Sequence, residues 1–414
     1  RSPAGGSLRP DARAPGVPGI TYHGAMQPPV ETQNVLRDGF VEFAYGDPDP
    51  AVLPVELLRE AADRLLRRSD AAGALAYGPD LGPRALRDAI VARSAEREGL
   101  GLGADQILVS GGNSQALGQV LTDLTRPGDA VFVEIPTYSL ALGVLADHPV
   151  EVNGVPMDDA GLDVDALEEA VRRARGAGRR ARLLYTVPTF HNPAGVSLAL
   201  ERRESLLELA RREGLILVED DVYRELVFEG QAPPALRALD PEAPVVRLGS
   251  FAKTLAPGLR VGWIDAPPEL FEIVSADGVL ESGGCVSQLS ASLVAALLEA
   301  GVYDDHVVTL RRTYAARRDA LAGALRKELP AGCSFTVPAG GFFLWVRLPR
   351  GLTASKLLPV AERHRVGLAP GHRFCIDGDD RHLRLPFSLY DAASLAEGAR
   401  RLAAAIGEAM AGAS

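Results

Sequence analysis

Short unbroken apolar runs alternate along the middle of the chain with stretches whose apolar positions recur every three or four residues. The runs are 107–109, 130–133, 183–187, 215–218, 245–248 and 261–264. Each has the length of a buried strand and falls short of a helix. The periodic stretches predict helices over 54–69, 83–97, 162–175 and 202–213, and another from the glycines after 110 to Leu124. Pro83 suits a first helical turn, and Gly176 and Gly214 stop two of the others. Continuously apolar strands alternating with helices give a mostly parallel sheet covered on both faces. After residue 300 the pattern changes to a long helix (306–329), strands at 342–348 and 383–389, and a helix over 391–409. The expected fold class is therefore α/β, a large domain with a mostly parallel sheet plus a smaller α+β domain. Residues 1–40, rich in Pro and Gly and without period, read as an N-terminal arm. The large domain is expected over 61–299, and the small one over 41–60 together with 300–414.

In open α/β sheets, ligands gather beyond the carboxyl ends of the strands. Unusual residues lie there after five strands in turn. Gly111-Gly112-Asn113-Ser114 follows the first, Pro136-Thr137-Tyr138 the second, and His191-Asn192-Pro193 the third. Glu219-Asp220-Asp221 follows the fourth, and Gly249-Ser250-Phe251-Ala252-Lys253 the fifth. Glycines opening a helix make a phosphate cradle, because backbone N–H groups and the helix dipole attract an anion.

Composition sharpens this picture. Of 44 basic residues only Lys253, Lys327 and Lys356 are lysine. Arginine keeps its proton, whereas lysine can lose one and attack a carbonyl. Lys327 and Lys356 lie in amphipathic stretches, while Lys253 has apolar neighbours. The net charge of −10 argues against a nucleic-acid partner. Cys285, Cys333 and Cys375 are 48 and 42 residues apart, with no metal or disulfide-framework spacing. No apolar run approaches 18 residues, and residues 1–10 lack the apolar region of a secretory signal, so no membrane partner and a cytoplasmic location are expected. No GxxxxGK or complete GxGxxG is present, which disfavours a nucleotide. A strand-end carboxylate, an amide, an aromatic ring, a phosphate cradle and a lone lysine together fit pyridoxal 5'-phosphate.

The segment from Ser250 through Lys253-Thr254 to Arg260-Val261-Gly262-Trp263 resembles the cofactor-lysine segment of the class I/II (fold type I) pyridoxal-phosphate-dependent aminotransferases. The resemblance is nearest to the 2-aminoadipate/kynurenine aminotransferases and to the effector domains of MocR-type regulators. Tyr77-Gly78-Pro79, Pro136-Thr137-Tyr138, Asn192-Pro193-Ala194-Gly195, Glu219 to Tyr223 and Arg384 to Ser388 match in family order from about residue 40 onward. The resemblance implies that Lys253 forms the Schiff base and shuttles the substrate proton. It implies that Asp220, three residues before Tyr223, pairs with the pyridinium nitrogen. Asn192 and Tyr223 are expected at the cofactor's phenolate oxygen and Tyr138 on its ring. Gly112, Asn113, Ser114, Ser250 and Arg260 are expected at its phosphate, with Tyr77 reaching the phosphate of the neighbouring subunit of a homodimer. Arg384 is expected on the substrate α-carboxylate, with Gly46 offering backbone beside it.

Read without the resemblance, each piece has a plainer competitor. Asp220-Asp221 fits a helix cap, Asn192-Pro193 a turn, and Tyr138 and Tyr223 the edge of a core. Arg260 and Arg384 are two of 41 arginines. His191 stands where many relatives carry glutamine, and a loop histidine is more often incidental. Transfer of an amino group from an α-amino acid to a 2-oxo acid is the leading expectation. Decarboxylation, β-elimination and oxygen-dependent oxidative deamination are alternatives on the same scaffold, since fold does not fix reaction type. A cofactor-binding sensor without catalysis is the third possibility.

Overall fold

Most side chains of the central strands are buried, and neighbouring residues belong to different cores. In a computed structural model, which describes residues 33, 34 and 36–412, these strands build one eight-stranded sheet. The N-terminal arm expected over 1–40 lies largely outside the described residues. In chain order the strands are β1 (Val41–Glu42), β2 (Ile107–Ser110), β3 (Ala130–Ile135), β4 (Glu151–Asp158), β5 (Gly161–Leu162), β6 (Ala181–Thr186) and β7 (Ile216–Asp220). They continue as β8 (Val245–Ser250), β9 (Gly262–Asp265), β10 (Ser334–Phe335), β11 (Phe343–Arg347), β12 (Val366–Gly367), β13 (Ala369–Pro370) and β14 (His382–Pro386).

The large sheet has the order β2-β9-β8-β7-β6-β3-β4-β5. Pairs β8–β7, β7–β6, β6–β3 and β3–β4 are parallel. Strand β9 runs antiparallel to both β2 and β8. Strands β2, β3, β6, β7 and β8 therefore point one way, and their carboxyl ends share one edge. Because β9 is reversed, its beginning, with Arg260 just before it, lies at that edge too.

Side chains alternate faces along a strand. Val131, Val133, Leu183, Tyr185, Ile216, Val218, Val246 and Leu248 enter one core. Ala130, Phe132, Leu184, Leu217 and Val245 enter another. The helix Asn113–Leu124 packs on the first through Ala116, Leu117, Val120 and Leu121, and Leu200–Glu213 on the second through Leu206, Leu207 and Ala210. Burial on both faces is why these strands read as unbroken apolar runs.

The smaller sheet, β10-β11-β14-β13, is antiparallel. The helices Tyr303–Glu328 and Ala392–Ala411 cover it, joining Leu310, Leu321 and Leu402 to Leu344, Val346 and Leu385 in one core. Strand β1 pairs in parallel with β12 and so ties residues 41–42 to the C-terminal third. Among the described residues no helix is long and apolar enough to cross a membrane.

Several elements lie outside the sequence reading, and two of them show why. The eight-residue strand β4 was not expected. It lies near the sheet edge, carries Gly154 and Pro156, and buries only Val155, so it shows no apolar run. The helix Gln288–Glu299 was also missed. It packs in one core with Ala61, Leu65 and Ile90, and its buried Ala291, Ser292, Val294, Ala295, Ala296 and Leu297 leave no narrow apolar stripe.

Candidate active site

The shared strand edge brings the expected residues together. After β2 the chain turns at Gly112, with φ +91, into the helix beginning at Asn113. The first helical bond is from Ala116 N–H to Gly112 O, 3.1 Å. The preceding N–H groups have no acceptor within the helix and face outward from its positive end. The Arg260 guanidinium lies against this turn, since a Cβ on Gly112 would stand 2.6 Å from Arg260 Nη2. Gly262 makes the approach possible: a Cβ there would meet Gly249 O at 2.7 Å and Gly112 Cα at 3.0 Å. Ser250 ends β8 opposite Gly262, and its Oγ accepts from Ala252 N–H at 3.1 Å. Ser114 is exposed on the first helical turn. This is a cradle of backbone donors and one cation, suited to an anion.

Asp220 ends β7 and is buried. Tyr185 OH donates to Oδ2 at 2.7 Å and Asn113 Nδ2 to Oδ1 at 2.6 Å. Burial raises its carboxyl to about 6, although both hydrogen bonds pull the other way. Asn113 also donates to Leu248 O at 3.1 Å. Its amide is thus engaged with Asp220, and what it offers an anion is backbone. Asp221 turns to the opposite side. Its Oδ2 accepts from Arg224 Nε at 2.5 Å and Arg247 Nε at 3.1 Å, while Arg247 also forks onto Glu98 at 2.5 and 2.7 Å. Burial alone would raise the Asp221 carboxyl, but these guanidiniums hold it below the usual range.

Lys253 Nζ donates to Gly46 O at 3.4 Å and stands 5.6 Å from the Phe342 ring centroid. Burial lowers its pKa to about 8, against the charges of Asp47 and Asp220 and with those of Arg384 and Arg260. Lys327 and Lys356 are both exposed. A Cβ on Gly46 would lie 2.8 Å from the Phe343 ring, so only glycine fits there. Tyr223 is buried against Phe342 and Phe343, at 5.5 and 5.9 Å between centroids. Burial raises its hydroxyl, and a hydrogen bond with Asn192 opposes this. Asn192 Oδ1 also accepts from Arg384 Nη1 at 3.2 Å. Arg384 donates to Ala44 O at 3.0 Å and lies between the Phe343 and Phe374 rings, at 4.6 and 4.8 Å. Its buried Nε has no hydrogen-bond partner among the described residues. Burial lowers this guanidinium to about 10, so it remains charged at neutral pH. Burial also raises the Tyr138 hydroxyl to about 12, helped by the charge of Asp220 and opposed by Arg384 and Arg260.

Tyr77 stands apart from these residues. It is 89% exposed and makes no hydrogen bond among the described residues. His191 is buried and faces away from open space: its Nε2 is 3.0 Å from Glu134 Oε2, and Nδ1 accepts from Ala194 N–H at 3.2 Å. Glu134 also accepts from Thr186 Oγ1 at 2.7 Å and Val187 N–H at 3.0 Å. Tyr185, Glu134 and Asp47 were missed in the sequence reading. For the first two the available signal was a polar group inside an otherwise apolar strand. Among the described residues no group of His, Cys, Asp or Glu is placed to hold a metal ion.

Residues 39–402 match the protein family described as Aminotransferase class I and II. The chain belongs to this family. It is 36% identical over 385 residues to aromatic-amino-acid aminotransferase 1 of Thermococcus litoralis, covering 92% of this chain and 90% of that one. It is 37% identical over 375 residues to the 2-aminoadipate transaminase of Thermus thermophilus, covering 89% and 91%. The crystal structure of Pyrococcus horikoshii kynurenine aminotransferase, a complex with PMP, KYN and KYA, superposes with a TM-score of 0.84 at 35% identity, covering 89% of this chain and 91% of that one. The large sheet with its smaller antiparallel companion is the fold type I architecture of these aminotransferases.

The two neighbouring aspartates of this aminotransferase separate experimentally. Asp221→Asn leaves two buried guanidiniums under-compensated and should destabilise the apoprotein by roughly 3 kcal/mol, read from denaturant unfolding. Asp220→Asn keeps one acceptor oxygen for Asn113 and can donate its amide N–H to the Tyr185 hydroxyl, so it should unfold within about 1 kcal/mol of the parent, while binding cofactor and slowing deprotonation at the substrate Cα. Equal stability losses from both would contradict the assignment.

Proposed function

We propose that this chain is a pyridoxal-phosphate-dependent aminotransferase that moves the amino group of an α-amino acid to a 2-oxo acid. The observation that carries the reading is the meeting of a lysine lowered to about 8 by burial with the buried Asp220 and the buried Arg384, whose charges both act on it. The residues fit the cofactor. A Cβ-free cradle at Gly112 with Arg260 beside it suits a phosphate, and the unpartnered Nε of Arg384 suits a carboxylate. When bound, the cofactor supplies an electron sink that makes the substrate Cα proton acidic.

The chain's own residues then take these roles. Lys253 would hold the cofactor, and its amine is the base that would take the proton from the substrate Cα. Its lowered pKa leaves the amine neutral often enough to do so near pH 7. Asp220 would pair with the pyridine nitrogen and favour its protonated form. Asn192 and Tyr223 would serve the phenolate oxygen, and Tyr138 would serve the ring. Backbone N–H groups at Gly112, Asn113 and Ser114, with Ser250 and Arg260, would hold the phosphate. Arg384 forks onto the α-carboxylate beside Gly46, while Phe342, Phe343 and Phe374 keep water away.

The 89% exposure of Tyr77 supports a homodimer in which this tyrosine completes the partner's phosphate site. The adjoining loop, which touches Gly78 through Gly284 and Gln288, exposes Val286 and Leu289 in the same region. The three cysteines are all free, which suits a reducing compartment such as the cytoplasm.

Holoprotein mixed with a panel of amino acids, without acceptor, should convert to the pyridoxamine phosphate form, and a 2-oxo acid should reverse the change. Release of carbon dioxide, ammonia or peroxide with no such conversion would contradict transamination. The rate at which apoprotein takes up pyridoxal phosphate should rise with pH and level off above about 8. A rise continuing toward pH 10 would mean an ordinary lysine. Sedimentation should report a dimer, and mixing inactive Lys253→Ala and Tyr77→Phe chains should restore activity, because the mixed dimer keeps one intact site. A fully active monomer would overturn the assembly.

A further inference from the structure

Tyr185 of β6 stands in register with Val218 of β7, and Asp220 follows Val218 by two residues on the same face. A phenol is long enough to cover that diagonal, and the Tyr185 hydroxyl donates to Asp220 Oδ2 at 2.7 Å. The ring is fully buried in one core with Val133, Val218 and Leu248. Burial, the charge of Asp220 and this hydrogen bond raise the hydroxyl well above its usual range, so it keeps its proton and remains a donor. Asn113 Nδ2 meets the other carboxylate oxygen at 2.6 Å. A carboxylate has about four lone-pair sites, so these donors leave room for one more. Asp221, which turns to the opposite side, and Lys253 also act on Asp220 through their charges.

We propose that Tyr185 is a positioning residue for the reaction: its hydroxyl keeps the Asp220 carboxylate ionised and fixed in place, so that Asp220 holds a proton on the cofactor's ring nitrogen without taking it. This rests on the aminotransferase reading given above. A proton between a buried carboxylate and a pyridine nitrogen can sit on either, giving an ion pair or a neutral pair. Burial favours the neutral pair, which carries no charge. A hydrogen bond to the carboxylate favours the ion pair, because it is stronger to the charged form. Tyr185 supplies that bond without a charge of its own. A cation in its place would compensate the carboxylate, as Arg224 and Arg247 do for Asp221, and leave less attraction for a pyridinium.

The test has two arms. In the first, NMR of apoprotein isotope-labelled at its aspartate carboxyls follows the titration of Asp220, with Asp220→Asn identifying the signal. The parent should titrate near 6. Tyr185→Phe fills the same space without the hydroxyl, and it should shift the proton equilibrium of Asp220 roughly 10–100-fold toward the protonated form, as loss of a hydrogen bond to a charged group implies. A ring-fluorinated tyrosine at position 185, a stronger donor, should move the midpoint the other way. In the second arm, the holoenzyme's single-turnover conversion of the amino acid it handles fastest is followed by cofactor absorbance. Tyr185→Phe should slow it roughly 10–100-fold in the parent but less than about threefold in an Asp220→Asn background, because the two residues act as one unit. An Asp220 midpoint that neither substitution moves would overturn the inference and leave the aminotransferase reading standing. So would equal slowing by Tyr185→Phe in both backgrounds, which would make its role one of packing. Failure of every amino acid to convert the parent's cofactor would overturn both.

Discussion

Two aspartates stand next to each other at the end of β7, and a strand sends neighbouring side chains to opposite faces. Both carboxylates are buried, and a buried carboxylate without donors is costly. The surroundings therefore differ by necessity. Asp220 is met by a phenol and an amide, Asp221 by two guanidiniums. Neutral donors leave the Asp220 carboxyl raised to about 6 and its charge available to an incoming cation. The guanidiniums of Arg224 and Arg247 hold Asp221 low and tie it into the frame with Glu98. The face on which each residue emerges thus divides chemistry from scaffolding.

The same physics acts on the cations. Burial beside Phe342 lowers Lys253 to about 8, and burial between Phe343 and Phe374 lowers Arg384 to about 10. For a lysine that shift frees an amine near neutral pH. For an arginine it leaves the charge in place and removes the water that would compete for it. The neighbouring rings of Phe342 and Phe343 thus set the surroundings of both cations.

Much of this was legible beforehand, because the central strands are buried on both faces and their ends share an edge. The apolar runs located β2, β3 and β6 to β9 within a few residues, and the polar clusters after them lie along the shared strand edge. What could not be read depended on spatial neighbours. Strand β4 buries only Val155 at a sheet edge and so carried no pattern. Nothing local showed that Asn113 spends its amide on Asp220, 107 positions away, or that Tyr185 meets the same carboxylate. His191, ambiguous as a loop residue, proved to be the buried neighbour of Glu134. Asp47 lay in a Pro-rich turn whose proximity to Lys253 exists only in the fold.

The central claim is that Lys253 carries the cofactor. Borohydride reduction of the holoprotein, followed by proteolysis and mass spectrometry, tests it directly. The account predicts a phosphopyridoxyl group on the peptide containing Lys253. The same label on Lys327 or Lys356, or none in a preparation that turns over amino acids, would contradict it.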